Sequence, residues 1–268
     1  MSQTNPQIDT TAAEAYERFL VPGIFLRWTE YLIKLAAPQP GEHVLDVACG
    51  TGIGARLAAH AVGSTGKVAG LDIDPGVIEV ARKVTQRPAT PMAWHCASAL
   101  KMPFKDGEFD LCLCLQGVQF FPDRLAGFAE IRRVLRPSGR LVASLWAPLE
   151  FNKGHHAVVQ ALERQKVDAS GAKRACSFAD ADDIRETATR AGFTNIDLRT
   201  EDGVSHFESI QTFIDGMTIG SSTRHAVALL PEEGRDRFIK DVTTMLEPYL
   251  VGGELAYPMR THILFARP

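Results

Sequence analysis

The stretch Val44-Leu45-Asp46-Val47-Ala48-Cys49-Gly50-Thr51-Gly52 decides the fold. Apolar residues around a single acid read as a short buried strand that breaks into a glycine turn. Ile53, Leu57, Ala58 and Ala61 then recur at helical spacing. A strand running through Gly-x-Gly into a helix brings free backbone N–H groups and the positive end of a helix dipole up to a ligand. Any side chain larger than hydrogen at Gly50 or Gly52 is expected to block that approach. The residues before the turn read as a cover over it, and those after it as the sheet that holds it.

Working outward, Thr11 and Glu14 have capping-box spacing and open a helix to about Leu20, broken at Pro22-Gly23. A second helix over 25–36 carries Phe25, Trp28, Leu32 and Leu35 on one face. Downstream, strands are expected at 67–71, 92–96, 109–115 and 140–146. Asp74-Pro75 caps a helix running to about Arg87, and a further helix spans 123–135. Strands alternating with helices at this spacing mean a parallel, doubly wound sheet. The pattern then changes: an irregular segment over 147–178, a capped helix over 177–191, a strand from Asn195 to about Thr200, helices within 205–258 and a last strand over 261–266. The expected fold is α/β, a doubly wound and mostly parallel seven-stranded sheet. One domain covers 1–268, with an N-terminal helical lid (1–40), a ligand-binding core (41–147) and a sheet completion (148–268) bearing a helical cap at 205–258.

With 268 residues, 45% apolar and 23% charged, the chain can bury one sizeable core. A net charge of −3 gives no reason to expect nucleic acid or an anionic membrane as partner. The basic run Arg132, Arg133, Arg136 and Arg140 reads as cations near a helix C-terminus. Five cysteines show no metal-ligand spacing, so no metal is expected, and Cys112 and Cys114 read as packed strand residues. Met1 to Thr11 has no apolar signal region, and no apolar run reaches membrane-span length, which points to the cytoplasm.

Gly50-x-Gly52-x-x-Ala55, with Asp72 twenty residues beyond Gly52, formally satisfies a dinucleotide pattern. Two features oppose that reading. Asp46 inside the strand would repel a pyrophosphate and suits a cationic ligand group. Tyr31 and Lys34 are three apart on an N-terminal helix and do not form a hydride-chemistry pair.

Leu45 to Gly52, Gly70-Leu71-Asp72, Met102-Pro103-Phe104, Phe109-Asp110 and Val134 to Gly139 stand in the order and spacing of class I S-adenosylmethionine-dependent methyltransferases. The chain resembles this family strongly over about 40–147, and most of all the branch that holds quinone-biosynthesis and small-molecule enzymes. The resemblance implies S-adenosyl-L-methionine as cofactor and S-adenosyl-L-homocysteine as product. It lays the methionine part along 48–52, with Ala48, Gly50 and Gly52 in contact and Asp46 reaching the ammonium directly or through water. It gives Asp72 the ribose hydroxyls, since a carboxylate offers two acceptor oxygens. Ile73 would pack on the adenine, Ser98 and Ala99 would bond it, and Leu115 with Gln116 would line the pocket beside the methyl. Ser98 departs from the acid or Asn usual there and is a weaker acceptor. Each acid also has a bland alternative: Asp46 capping the next turn, Asp72 a plain N-cap.

Methyl transfer is an in-line displacement, so the nucleophile must come within about 3 Å of the methyl, opposite sulfur. Gln116 and Gln119 can orient a polar acceptor. His155 and His156, read as a loop pair, are the candidate bases by position, with His206 behind them. Tyr16 is expected to close over the cofactor; Phe120-Phe121 and Tyr257 are open between acceptor wall and core. The expected partner is a small organic acceptor, lipophilic or a secondary metabolite, with neither nucleic acid nor membrane; a homodimer stays open. The rivals are a cofactor-binding cyclase or isomerase on the same fold, and a non-catalytic cofactor-binding regulator.

Overall fold

The computed structural model describes residues 8–85 and 88–268. The expected helix end at Gln86 and Arg87 and the N-terminal reading of Met1 to Gln7 lie outside them. In chain order the helices are α1 (Thr11–Ala15), a π-helical stretch (Tyr16–Phe25), α2 (Leu26–Ala36), α3 (Ile53–Val62), α4 (Pro75–Val84), α5 (Arg124–Val134), α6 (Lys153–Arg164), α7 (Ser170–Lys173), α8 (Ala181–Arg190), α9 (Ile210–Asp215), a second π-helical stretch (Gly216–Gly220), α10 (Thr223–Ala228) and α11 (Glu232–Leu246). The strands are β1 (His43–Val47), β2 (Lys67–Asp72), β3 (Met92–Cys96), β4 (Phe109–Leu115), β5 (Leu135–Trp146), β6 (Thr194–Phe207), β7 (Leu250–Val251) and β8 (Glu254–Arg267).

The sheet runs β3-β2-β1-β4-β5-β8-β6, with β1 to β5 parallel and β8 antiparallel to both β5 and β6. It has eight strands rather than seven, because β7 forms a short hairpin arm on β8. Strands β1, β4 and β5 are apolar on both faces, as parallel strands covered by helices must be. Leu45, Cys112, Cys114 and Ala143 pack with Phe128, Ile131 and Ile184 under α5 and α8. Val44, Leu111, Leu113 and Val142 pack with Leu32, Ala58 and Val62 under α2 and α3. Asp46 shares the second face, two residues from Val44, and that places its carboxylate at the start of α3.

Local chemistry explains most boundaries. The Asp74 side chain accepts the Gly76 N–H at 2.7 Å, with Pro75 at the first helical position. Asp123 accepts the Ala126 N–H at 2.9 Å at the start of α5. The basic run does more than face a helix end: Arg133 meets Glu130 and Asp106, Arg136 meets Asp110, and Arg140 meets Glu42.

Three expectations need correcting. Pro22-Gly23 does not break the N-terminal helix, and the run stays helical from Thr11 to Ala36. The wider π turn accommodates a residue with no N–H to donate. Gly23 is needed for packing instead, since a Cβ there would sit 2.3 Å from the Phe207 ring. The helix expected from Ser177 begins at Ala181, capped by Asp180. Strands β6 and β8 pair from Thr194–Arg267 to Phe207–Leu255, much longer than the apolar pattern suggested. An edge strand keeps one side in water, so Asp197, Arg199 and Glu201 interrupt its apolar signal. The helical cap is therefore confined to α9 through α11 and the turn after them, and 205–207 and 254–258 belong to the sheet. Leu20, Trp28, Val158, Leu162, Phe213, Phe238 and Tyr257 form the core beneath this cap.

Candidate functional site

The strand order reverses between β1 and β4, and the carboxyl ends of parallel strands open a crevice at such a point. A cavity of about 590 Å³ lies there, walled by Ala48, Gly50, Asp72, Ser98, Leu115 and Gln116 from the strand ends. Its roof comes from the N-terminal helices (Tyr16, Leu20, Ile24, Phe25) and the second π stretch (Met217, Gly220). Its far wall holds Phe120, Phe121, Trp146, His155, Val158 and Arg174.

Asp72 ties two strand ends together. Its Oδ2 accepts the Gly50 N–H at 2.9 Å and its Oδ1 accepts the Asp74 N–H at 3.0 Å. Burial raises its pKa above the usual carboxylate range, against the pull of these backbone bonds. Each oxygen has accepted one bond and keeps capacity for another, as a vicinal diol requires. Gly50, at φ 53°, borders the cavity, and an added Cβ would meet the Tyr16 ring at 3.7 Å, an ordinary contact without a clash. Burial, followed by the nearby Asp72 carboxylate, pushes the Tyr16 phenol far above its ordinary pKa, so it stays a protonated donor. The roof is pinned by Glu17, which accepts from the Thr51 hydroxyl and from Arg56, the latter at 2.8 Å.

Of the expected cofactor residues, Tyr16, Ala48, Gly50, Asp72, Ile73, Ser98, Ala99, Leu115 and Gln116 all border this one cavity. Ser98 also accepts the Leu100 N–H at 3.2 Å, a local turn bond that leaves it lone-pair capacity. Asp46 and Gly52 do not border it. Asp46 is 2% exposed and its Oδ2 accepts the Ala55 N–H at 2.7 Å, so it caps α3 from behind the turn. Desolvation lifts its pKa to about 7 against that hydrogen bond. Gly52 is glycine for a different reason than ligand approach: it has φ 86°, and a Cβ would lie 2.2 Å from the Trp94 ring.

The expected catalytic trio separates. The two histidines are consecutive on helix α6, not in a loop. Successive helical side chains diverge by about 100°, and only His155 borders the cavity. His156 points elsewhere and is half-buried. His155 is buried with Nδ1 unpartnered, and desolvation lowers its pKa to about 4, so it is neutral near pH 7. Gln119 is buried outside the cavity wall, where its Nε2 donates to Gln116 Oε1 at 3.2 Å. Gln116 in turn donates to Thr261 Oγ1 at 3.0 Å. His206 lies on β6 and Tyr257 is buried in the cap core, neither on the cavity wall, whereas Phe120 and Phe121 both wall it. Trp146, Val158, Arg174 and Met217 were missed; the first ends β5, and the others carry no local pattern that distinguishes them from packing.

The match to known proteins falls on this crevice: residues 45–143 fit the family model described as a methyltransferase domain. Over these residues the chain is similar to methyltransferase domains. A 2-phytyl-1,4-naphthoquinone methyltransferase of Nostoc sp. is 32% identical over 144 residues, 53% of this chain and 61% of that protein. The ubiquinone/menaquinone biosynthesis C-methyltransferase UbiE of Shewanella oneidensis is 34% identical over 140 residues, 52% of this chain and 54% of that protein. The chain thus spans a little over half the length of these curated relatives. The fold extends further. Phosphoethanolamine N-methyltransferase 2 of Haemonchus contortus, solved with S-adenosyl-L-methionine, aligns with TM-score 0.61 at 19% identity over 96% of this chain and 56% of its own. The YcgJ protein of Bacillus subtilis aligns with TM-score 0.59 at 17% identity, over 90% of this chain and 98% of its own. At such identities the likeness is one of fold.

Proposed function

We propose that this protein transfers the methyl group of S-adenosyl-L-methionine to a small lipophilic acceptor, releasing S-adenosyl-L-homocysteine. The observation that carries the reading is one continuous cavity with two unlike ends. Asp72 and the Gly50 backbone it holds form a polar cradle at the strand ends; beyond Leu115 the walls turn aromatic and aliphatic around a single buried histidine. The relatives named for naphthoquinone and quinone-biosynthesis methylation support an aromatic, quinol-type acceptor.

When bound, the cofactor supplies an electrophilic methyl on a positively charged sulfur. Asp72 accepts hydrogen bonds from the ribose hydroxyls, Ile73 and Ala99 flank the base, Ser98 accepts from its amino group, and Tyr16 closes over the turn. Gln116 borders the methyl site, and Gln119 steadies Gln116 from outside it. His155, neutral and with an unpartnered ring nitrogen, takes the proton that the ring carbon loses once it is methylated. Trp146, Val158 and Met217 make the surroundings of His155 apolar, which favours a step in which opposite charges disappear. On this reading the chain acts as one unit: the lid at 1–40, the core at 41–147, and the remainder completing sheet and cap. No described helix is long and apolar enough to cross a membrane, and a cytoplasmic enzyme without a nucleic-acid or membrane partner, monomeric or a homodimer, fits the net charge. Incubation with methyl-labelled cofactor and an alkylated 1,4-naphthohydroquinone tests the proposal. Label in the ring together with released S-adenosyl-L-homocysteine is the expected result. Cofactor binding without label transfer across a panel of phenols and hydroquinones would contradict it.

A further inference from the structure

The far wall of the cavity carries a cation with nothing acidic to meet it. Arg174, just after α7, borders the cavity and makes no ion pair among the described residues. Arg56, Arg133, Arg140 and Arg260, by contrast, each meet a carboxylate at 2.8 Å or less. Within the protein, Arg174 places one N–H on the Phe120 carbonyl, a long bond of 3.3 Å, and its guanidinium lies 5.9 Å from the Phe120 ring centre. A guanidinium has five N–H donors, and four are left. The cavity's other cation, Arg224, is already partly answered: the Asp9 carboxyl is held low chiefly by its bonds to Thr11, with Arg224 adding a smaller pull.

Asp72 and Asp74 stand at the strand-end cradle, and Arg174 stands on the aromatic wall beside the half-exposed Phe120. We propose that the acceptor binds as an anion on a lipophilic body, a phenolate, enolate or carboxylate, and that Arg174 holds its charge. This rests on the methyl-transfer reading above and names the acceptor class of that same site. A planar fork of donors beside an aromatic face suits a flat oxyanion better than a neutral ring. The chemistry balances: the anion's electron pair forms the new bond to the methyl carbon as the carbon–sulfur bond breaks. That bond's electrons go to sulfur, so anion and sulfonium yield a neutral product and a neutral thioether.

Calorimetry on the protein saturated with S-adenosyl-L-homocysteine tests this with two matched pairs of probes. One is 2-naphthoate against 2-naphthamide, and the other 4-nitrophenolate against 4-nitroanisole. The anion of at least one pair is expected to bind at least tenfold more tightly than its neutral partner. A preference in the first pair alone identifies a carboxylate acceptor, and in the second alone a phenolate or enolate. Arg174→Met should abolish the preference, and Arg174→Lys should keep part of it. No preference in either pair, or one that survives Arg174→Met, overturns the inference. Failure of S-adenosyl-L-homocysteine to bind at the outset would instead strike the methyl-transfer reading itself, so the two failures are separable.

Discussion

The two ends of the cavity are built in opposite ways. At the strand-end cradle, the functional groups lie within a few residues of strand termini, and backbone conformation does much of the work: Ala48, Gly50 and Gln116 all hold positive φ. At the far wall, Trp146, His155, Arg174 and Met217 come from separate elements spread over some seventy positions and are brought together only by the cap's packing. The first end depends on turns that tolerate few residue types, and the second on burial, which many sequences can provide. Cofactor recognition should therefore fail by single substitutions at the turn, and acceptor chemistry by loss of one buried polar group.

The largest expected effect is at the far wall. His155→Asn removes a neutral base from a dry site and should lower kcat by about 10²- to 10⁴-fold, with the affinity for S-adenosyl-L-homocysteine unchanged. Turnover and calorimetry on the same preparation check this. Equal loss of both would mean that the two ends are not separable.

The glycine turn sharpens the contrast from the other side. Gly52→Ala must place a methyl 2.2 Å from the Trp94 ring at φ 86°, and should cost about 3 kcal/mol of stability or more. Gly50→Ala, with its nearest neighbour at 3.7 Å, should cost only about 1 kcal/mol yet weaken cofactor binding more than it weakens the fold. Denaturant midpoints set against cofactor affinity would show whether the two glycines divide in this way.

A smaller effect concerns the acid behind the turn. Folding raises the Asp46 pKa from 3.8 to about 7, so the folded state binds the extra proton. Its contribution to stability is full below about pH 4 and is lost as pH rises through about 7. In Asp46→Asn, whose amide oxygen can still accept the Ala55 N–H, the melting temperature should decline less over that window than in the wild type. Parallel melting curves for the two proteins would remove Asp46 from this role.

Much of the fold was legible because its signals are local. Asp74-Pro75 acts as a cap where the sequence placed it, the helix expected over 123–135 starts at Asp123, and the five parallel strands fall where apolar runs end in turns. The misreadings have one physical source. Pro22, the polar edge strand β6 and the His155-His156 pair each take their meaning from what packs against them, and that lies far away in sequence. Asp46, read from sequence as either a ligand contact or a cap of the next turn, accepts the Ala55 N–H at the start of α3 because of the face it occupies on β1.

The central claim is that Asp72 meets the ligand and Asp46 does not. Titration of S-adenosyl-L-homocysteine into the wild type, Asp72→Ala and Asp46→Asn tests it directly. Asp72→Ala should bind at least tenfold more weakly, since a buried diol loses a charged acceptor, while Asp46→Asn should stay close to the wild type. No heat with the wild type, or full affinity in Asp72→Ala, would contradict the account.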